Sequence, residues 1–365
     1  MKITGFQLAK ISVPLITPFK TALRSVNAIE DIVLMVETDT GNIGYGEAPA
    51  TAVITGDTLG SIQDALRLHI LPALIGMSIG DLDAITNTIQ NSIIHNTNAK
   101  AAAEIAVYDL HAQAKGKPLY QFLGGGTPRL VTDITISIGP TESMIADCLR
   151  AMQNGYETLK IKVGKNIVQD IDDIKKIGSI CNGKAQVILD ANQGWTAEQT
   201  VYALEEIDRA GVEIDLIEQP VKADDIDGLC YITSRIKTPV MADESAFNPA
   251  QVTELLERRA VDIINIKLMK TGGLSNARKI VDIAEAYGIK CMIGCMLETS
   301  ISIAAAAHFA VSHANVITRI DLDGVSLSTF DPVIGGATFN GPEIILNEEP
   351  GLGIQSIKGL QELEC

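Results

Sequence analysis

Hydrophobic and polar residues follow two rhythms in the first third of the chain. Up to residue 48 they alternate one by one, as in ITGFQLAKISVPL and DIVLMVETDTG, with a glycine-containing turn at 40–42. This alternation predicts β-strands joined by a hairpin. After Gly56 apolar residues recur every three to four positions, which predicts helices. The predicted helices cover 58–76, 82–94 and 98–116, and Asp57 and Asn98 are expected to cap two of them.

A different rhythm begins near Val131. Short runs rich in β-branched residues recur, and amphipathic helical segments lie between them. The runs cover 132–138, 157–163, 186–190, 214–218, 239–243, 261–267, 289–294 and 316–321. Eight strands that alternate with helices at a period of roughly 27 residues predict an α/β fold of the (β/α)8 barrel type. A doubly wound sheet would alternate in the same way, so the prediction of a closed barrel depends on the chemistry described below.

These rhythms divide the chain into three predicted parts. Residues 1–125 form an α+β unit, 126–325 form the barrel, and 326–365 form a tail rich in Gly and Pro that we expect to pack back onto the first part. The segment FLGGGTPR, at 122–129, joins the first two parts. Its glycines suggest a phosphate loop, but no strand–loop–helix context with Lys-Ser/Thr follows, so we predict a hinge.

Composition excludes several classes of protein. The 365 residues include 45 acidic and 29 basic side chains, which gives a formal net charge of -16. No basic stripe is present to neutralise phosphates, so we predict no nucleic-acid partner and no anionic-membrane partner. No apolar run reaches membrane-spanning length and the N-terminus has no secretory signal pattern, so we predict a soluble cytoplasmic protein, and we expect a homo-oligomer.

The cysteines do not point to a metal or disulfide framework. They are scattered, without a CxxC pair or a nearby histidine cluster, so we predict free thiols rather than zinc, iron–sulfur or disulfide chemistry. The six are Cys148, Cys181, Cys230, Cys291, Cys295 and Cys365.

Charged residues end five consecutive predicted barrel strands. Lys162 ends the second strand and Lys267 the sixth, and the three strands between them end in Asp190, Glu218 and Asp243. Active sites of such barrels lie at the carboxyl ends of the strands, so all five side chains are expected on one face.

The three acids predict a metal site. Any one of them alone is most often a helix cap or half of a salt bridge, but three that converge repel one another unless a cation lies among them. Carboxylate oxygens suit Mg2+, and the absence of His or Cys beside them argues against zinc. We therefore predict Mg2+ on Asp190, Glu218 and Asp243.

The lysines predict acid–base chemistry. Lys160 and Lys162 alternate on one strand and point to the same face, so their repulsion and the nearby metal are expected to lower the amine pKa. Lys267 approaches from the opposite side. For Lys270 an exposed surface charge stays an open alternative. A metal can stabilise the enediolate formed when a proton leaves a carbon beside a carboxylate, and two opposed bases then permit a 1,1-proton transfer.

At this point the sequence resembles the enolase superfamily, in its muconate-lactonizing-type subgroup. The matching motifs are KIK (160–162), LDAN (189–192), IEQP (217–220), ADES (242–245) and NIKLMKTGG (265–273). The resemblance implies that the N-terminal α+β unit is a capping domain whose loops close over the barrel. It also implies Mg2+ on the three acids and acid–base roles for Lys162 and Lys267, a combination of lysine base and magnesium that is already known for enolase-type sites.

The end of the eighth strand, RIDLDG, looks like that of the dipeptide epimerases. In those enzymes two acids hold the free ammonium group of a dipeptide, here Asp321 and Asp323. The alternative is that these acids pair with Arg319 or with a surface lysine.

Other predicted substrate contacts rest on weaker signals. Arg24 resembles the loop arginine that holds the side-chain carboxylate of a C-terminal glutamate, which implies L-Ala-L-Glu and L-Ala-D-Glu as substrates, and Lys20 could share this task. Lys160, Thr135 and Cys295 are further predicted contacts. Core packing or supporting hydrogen bonds would explain Thr135, Cys295 and Glu298 nearly as well.

Two competing hypotheses stay open. A β-elimination of the o-succinylbenzoate synthase type, or another cycloisomerase reaction, would use the same lysines and metal, but it needs no ammonium site. A metal-binding scaffold without turnover would need no opposed lysines.

Overall fold

The N-terminal part is an antiparallel sheet with helices on one face. The computed structural model describes residues 1–363. Strands β1 (Ile3–Lys20), β2 (Ser25–Thr38) and β3 (Ile43–Pro49) pair in sequence order, and β3 packs closely on α3 (Thr97–Ala114). Gly46 permits this approach, because a Cβ atom there would lie 2.0 Å from the carbonyl oxygen of Ala102.

The helices of this part differ from the prediction in two details. The predicted helix over 58–76 changes to π and then 3-10 geometry near Pro72, which has no backbone N–H to donate. The predicted caps are wrong, because Thr58 caps the first helix and Asn98 lies inside α3. Asp57 instead accepts a hydrogen bond from the backbone N–H of Asn98 at 3.1 Å. The elements are α1 (Leu59–Asp64), the π turn Ala65–Ile70, the 3-10 turn Leu71–Ala73, α2 (Leu82–Asn91), α4 (Leu119–Leu123) and β4 (Arg129–Val131).

Eight parallel strands form the barrel, which confirms the predicted fold class. The strands pair in sequence order, and the backbone N–H of Asp133 donates to the carbonyl of Ile320 at 3.1 Å across the seam between the first and last strands. The strands are β5 (Ile134–Ile136), β6 (Thr158–Lys162), β7 (Gln186–Asp190), β8 (Leu216–Glu218), β9 (Val240–Ala242), β10 (Ile263–Lys267), β11 (Lys290–Gly294) and β12 (Ile317–Asp321).

Helices surround the barrel, and apolar side chains fill its interior. The helices are α5 (Thr141–Gln153), α6 (Ile167–Cys181), α7 (Ala197–Arg209), α8 (Ile226–Thr233), α9 (Pro249–Glu257), α10 (Leu268–Thr271), α11 (Leu274–Ala286), α12 (Ser300–Ser312) and α13 (Gly324–Leu327). The interior side chains Ile188, Leu216, Met241, Ile263 and Met292 form one buried cluster. This cluster gives the strand ends an apolar, water-poor floor.

The C-terminal residues contact both preceding parts. Strand β15 pairs with β4, and β17 pairs with β1 through Ala9 and Lys10. The strands are β13 (Val333–Gly335), β14 (Thr338–Asn340), β15 (Glu343–Ile345), β16 (Ile354–Ile357) and β17 (Gln361–Glu362). Within residues 1–363, no helix combines the length and apolarity needed to cross a bilayer, and the cysteines are free thiols. Cys365 lies outside the described residues.

Candidate active site

A cavity at the carboxyl ends of the barrel strands collects most of the predicted site residues. Residues of the β1–β2 connection, including Arg24, cover it from the capping side. The predicted residues that line it are Arg24, Thr135, Lys160, Lys162, Lys267, Cys295, Asp321 and Asp323. A larger groove of about 900 Å³ opens near Pro239 at the other end of the barrel, which in such folds serves stability rather than catalysis.

Lys162 and Lys267 face each other across this cavity. They end β6 and β10, which are four strands apart in an eight-stranded barrel and therefore lie on opposite sides of its mouth. Both amines are buried, and each reaches a carboxylate. Lys162 Nζ lies 2.5 Å from Asp190 Oδ2, and Lys267 Nζ lies 2.8 Å from Asp243 Oδ2.

The three predicted metal ligands lie on adjacent strands. Asp190 ends β7, Glu218 ends β8, and Asp243 directly follows β9. All are buried, and Lys160 Nζ reaches both Glu218 at 2.6 Å and Asp190 at 3.6 Å. Burial and the charge of Asp190 raise the pKa of Glu218 to about 7. Burial also opposes ionisation of Asp243, but the charges of Lys267 and Lys270 outweigh it and hold the pKa of that carboxyl well below its usual range.

For Lys160, the charges of the protein's own acids reverse the expected lowering of the amine pKa. Burial lowers the pKa of Lys160, but the charges of Asp321, Glu218 and Asp190 outweigh burial and raise it well above the usual value. The pKa of Lys267 is raised for the same reason, chiefly by Asp243. Repulsion between neighbouring lysines is therefore weaker than their attraction to the acids. A divalent cation among these acids would oppose the shift.

The residues present fit a magnesium ion. The ligand set contains only oxygen, as Mg2+ prefers, and two further buried oxygens beside it, Asn192 Oδ1 and Glu244 Oε2, have no hydrogen-bond donor. Asn265 orients Glu218 by donating to its Oε1 at 2.7 Å. Supporting hydrogen bonds of this kind fix metal ligands in position.

Strained backbone follows two of the predicted ligands. Asn192 and Gln219 have φ values of 41° and 34°, a left-handed region that is costly for residues other than glycine. The Gln219 side chain compensates, because its Oε1 accepts from the backbone N–H groups of Asp243 and Ser245 at 3.0 and 3.1 Å. The IEQP motif contains Gln219, but the motif alone does not predict this bracing contact.

Lys270 is buried, so the alternative of an exposed surface charge is wrong. Its amine donates to the carbonyl groups of Asp243 and Asn265 at 2.6 and 2.8 Å and lies 2.6 Å from Asp243 Oδ1. Burial lowers the pKa of Lys270. It thus supports the predicted ligand Asp243 from behind.

Asp321 and Asp323 both line the cavity. Asp321 does not pair with Arg319, which reaches Asp215 at 3.2 Å instead, but with Lys160 at 2.6 Å. Asp323 accepts from the backbone N–H of Thr135 at 2.7 Å. Asp323 lies just beyond β12 and has helical backbone angles, with φ -89° and ψ -1°.

Sequence reasoning missed a third acid, Asp133. Carboxyl oxygens of Asp133, Asp321 and Asp323 all lie within 4.8 Å of one another, and all three side chains are buried. Asp133 directly precedes β5, so it is not at the carboxyl end of a strand, and only pairing across the barrel seam places it beside Asp321. The sequence does not show which residues of the first and last strands meet at the seam, so it gives no signal for Asp133.

The weaker predictions divide into two groups. Arg24 and Cys295 line the cavity, and burial raises the pKa of the Cys295 thiol, which keeps it protonated. Lys20 is exposed and does not line the cavity. Glu298 lies behind the cavity wall, where it accepts from Ser302 Oγ at 2.6 Å.

The capping domain is bound to the barrel by a further acid that sequence reasoning missed. Glu47, on β3, accepts from the backbone N–H of Thr299 at 3.0 Å and from the N–H and hydroxyl of Ser302 at 3.1 and 2.7 Å. These contacts fix the sheet that carries the Arg24 loop against the N-terminus of α12.

Comparisons with known proteins agree with this geometry. Family models match residues 4–124, as the mandelate racemase/muconate lactonizing enzyme N-terminal domain, and residues 143–357, as the enolase C-terminal domain-like family. The chain therefore belongs to the mandelate racemase/muconate lactonizing enzyme family of the enolase superfamily, which confirms the resemblance.

Three relatives that match nearly the whole chain are epimerases. An L-Ala-D/L-Glu epimerase from Clostridium acetobutylicum is 48% identical over 98% of this chain and 99% of its own. The substrate-liganded L-Ala-D/L-Glu epimerase from Bacillus subtilis superposes with a TM-score of 0.96 at 46% identity, covering 98% of this chain and 99% of its own. A dipeptide epimerase from Enterococcus faecalis, complexed with Mg and L-Leu-L-Tyr, has a TM-score of 0.94 at 39% identity, covering 98% and 100%.

Proposed function

We propose that this protein is a magnesium-dependent dipeptide epimerase that interconverts L-Ala-L-Glu and L-Ala-D-Glu. The observation that carries the proposal is the cavity itself. Lys162 and Lys267 line it from opposite sides, and Asp321 and Asp323 line a further wall. The three predicted metal ligands end or directly follow the strands between the two lysines.

The two lysines perform the proton transfer. One amine removes the α-proton of the C-terminal residue from one face, and the opposite ammonium returns a proton to the other face, which inverts the carbon. Bound Mg2+ supplies electrostatic stabilisation of the negative charge that develops on the substrate carboxylate. Burial of both lysines excludes water that would otherwise screen these charges.

The other cavity residues orient the dipeptide. Asp321 and Asp323 lie on β12 and just beyond it, across the barrel from Glu218 on β8, so an ammonium held by them would leave the C-terminal carboxylate on the side of the predicted metal ligands. Arg24 enters from the capping side, where it can pair with a glutamate side chain in a charge-assisted contact. A cycloisomerase or lyase substrate without an ammonium would leave the two acids without their cation.

The three relatives support the same substrate class. Two are L-Ala-D/L-Glu epimerases, and the third is a dipeptide epimerase solved with Mg and L-Leu-L-Tyr. The homo-oligomer and the cytoplasmic location stay predictions from the sequence.

The direct test is turnover of a dipeptide library with Mg2+, with products separated by chiral chromatography. We expect L-Ala-L-Glu to be converted to L-Ala-D-Glu, and activity to disappear after chelation with EDTA and return with Mg2+. Preference for hydrophobic dipeptides would correct the assigned substrate but retain the class. Turnover of an o-succinylbenzoate synthase substrate, with none of any dipeptide, would contradict the proposal.

A further inference from the structure

The three acids at the barrel seam are not equivalent. Asp321 Oδ2 lies 2.6 Å from Lys160 Nζ, and Asp323 accepts from the N–H of Thr135 at 2.7 Å. Asp133 differs, because both of its carboxyl oxygens are buried without a hydrogen-bond donor among the described residues. Its side chain is 2% exposed and does not line the cavity.

An ionised Asp133 would be costly in this position. A buried carboxylate without donors pays the full desolvation cost, and Asp321 and Asp323 add like charge within 4.8 Å. Lys160 is the nearby cation, but it is already shared with Glu218 and Asp321. Burial and the charge of Asp321 accordingly raise the pKa of Asp133 well above its usual value.

We propose that Asp133 is a positioning residue for the ammonium site, which holds a proton and donates it in a hydrogen bond to Asp321. This inference rests on the proposed function, since it assigns the ammonium of the dipeptide to Asp321 and Asp323. With Asp133 neutral, Asp321, Asp323 and Lys160 together carry one net negative charge, which one substrate ammonium neutralises. With Asp133 ionised, the site would carry a second uncompensated charge.

The backbone of Asp133 explains why the side chain can hold this position. Its N–H donates to the carbonyl of Ile320 across the barrel seam, and the preceding residue, Thr132, accepts from the N–H of Leu322 at 2.8 Å through its hydroxyl. The segment before β5 is therefore hydrogen-bonded to the residues on both sides of Asp321. The carboxyl group of Asp133 therefore stays within 4.8 Å of that of Asp321, outside the cavity lining.

Two substitutions test whether Asp133 is a neutral hydrogen-bond donor or an ionised ligand of the substrate ammonium. Asp133→Asn keeps the shape and a donor, so we expect KM for L-Ala-L-Glu to stay within about threefold. Asp133→Leu keeps the bulk without a donor, so we expect KM to rise about tenfold, the effect of one hydrogen bond to a charged group. N-propionyl-L-Glu has no ammonium and is the matched control substrate, for which KM should change little in either variant.

The protonation state of Asp133 can be measured directly in the intact protein by infrared spectroscopy. Infrared difference spectra of wild type minus Asp133→Asn should show the C=O stretch of a buried protonated carboxyl group, shifted by D2O. This measurement needs neither turnover nor the Leu variant. Absence of turnover of any dipeptide by wild type would sink the proposed function, while the infrared band would still decide the protonation state of Asp133.

Four outcomes would overturn the inference. They are an equal rise in KM for the Asn and Leu variants, no change in either, the absence of the protonated band, and a second Mg2+ per chain in titration calorimetry that Asp133→Asn removes. The first would make Asp133 an ionised ligand of the ammonium. The last would make the three acids a metal site.

Discussion

The two sides of the barrel mouth both contain three buried acids, but they balance charge differently. On the metal side, which consists of Asp190, Glu218 and Asp243, lysine amines lie within 2.5 to 2.8 Å of every acid. On the ammonium side, which consists of Asp133, Asp321 and Asp323, Lys160 is the one amine within ion-pair distance among the described residues.

The difference teaches how each side can work. On the metal side the lysines neutralise the acids, and a bound cation would compete with the amines for these carboxylates, so that the amines would be available to the substrate. On our proposal the ammonium side keeps a net negative charge, which the ammonium group of the substrate would neutralise. We therefore expect metal binding and substrate binding to depend on different acids, although Lys160 contacts both sides.

The largest expected effect comes from the lysines that face the metal side. Lys162→Ala and Lys267→Ala should each lower epimerisation by on the order of 100- to 10,000-fold, because each removes one of two proton-transferring groups. Each variant should still exchange the glutamate α-proton of one diastereomer with D2O, and the two variants should retain opposite diastereomers, as measured by NMR. The exposed Lys165→Ala is the control. Exchange of both diastereomers by either variant would contradict the two-base assignment.

The next effect separates the two sets of acids. Glu218→Gln should weaken Mg2+ binding by more than about 100-fold, since even outer partners of metal ligands cost 10–100-fold. Asp321→Asn should leave Mg2+ affinity nearly unchanged while lowering kcat/KM for L-Ala-L-Glu. Titration calorimetry measures the Mg2+ affinity of both variants. The reverse result would place the metal on the ammonium side.

A smaller effect concerns recognition of glutamate by Arg24. Arg24→Gln should raise KM for L-Ala-L-Glu by about 10- to 100-fold, because a charge-assisted contact is lost, and should change KM for L-Ala-L-Gln little. Lys20→Gln, at the end of β1 next to that connection but outside the cavity, should affect neither. An equal loss with both dipeptides would give Arg24 a structural task instead.

The smallest effect is a pH dependence of the ammonium side. Burial and the charge of Asp321 raise the pKa of Asp323 to about 6, so the carboxylate that attracts the ammonium is lost as the pH falls through about 6. We expect kcat/KM for L-Ala-L-Glu to fall below that pH toward about tenfold per pH unit. N-propionyl-L-Glu should lack this limb of the profile. The same limb with both substrates would assign the titration to another group.

The comparison also explains what the sequence could predict. The metal side follows from local signals, since Asp190, Glu218 and Asp243 each end an apolar run one βα unit apart. The same period predicted the barrel and its strand-end lysines correctly. Their catalytic roles stay predictions until the variants above are measured.

What could not be predicted depends on contacts between distant segments. Asp133 joins the site only because the barrel seam brings it beside Asp321, 188 positions further along the chain. Glu47 acquires its partners only when the capping domain packs on α12, and Lys270 is buried only because α10 turns it back under Asp243. The predicted caps failed for the same reason, since Asp57 serves a helix that begins far along the chain.

The most direct test of the central claim is the origin of the proton in the product. L-Ala-L-Glu incubated with the protein and Mg2+ in D2O should yield L-Ala-D-Glu that carries deuterium at the glutamate α-carbon from the earliest turnovers, measured by NMR and mass spectrometry. That result is required if one lysine removes the proton and the opposite lysine delivers another from solvent. Early product that retains the original proton would contradict the account, because a single base would then act on both faces.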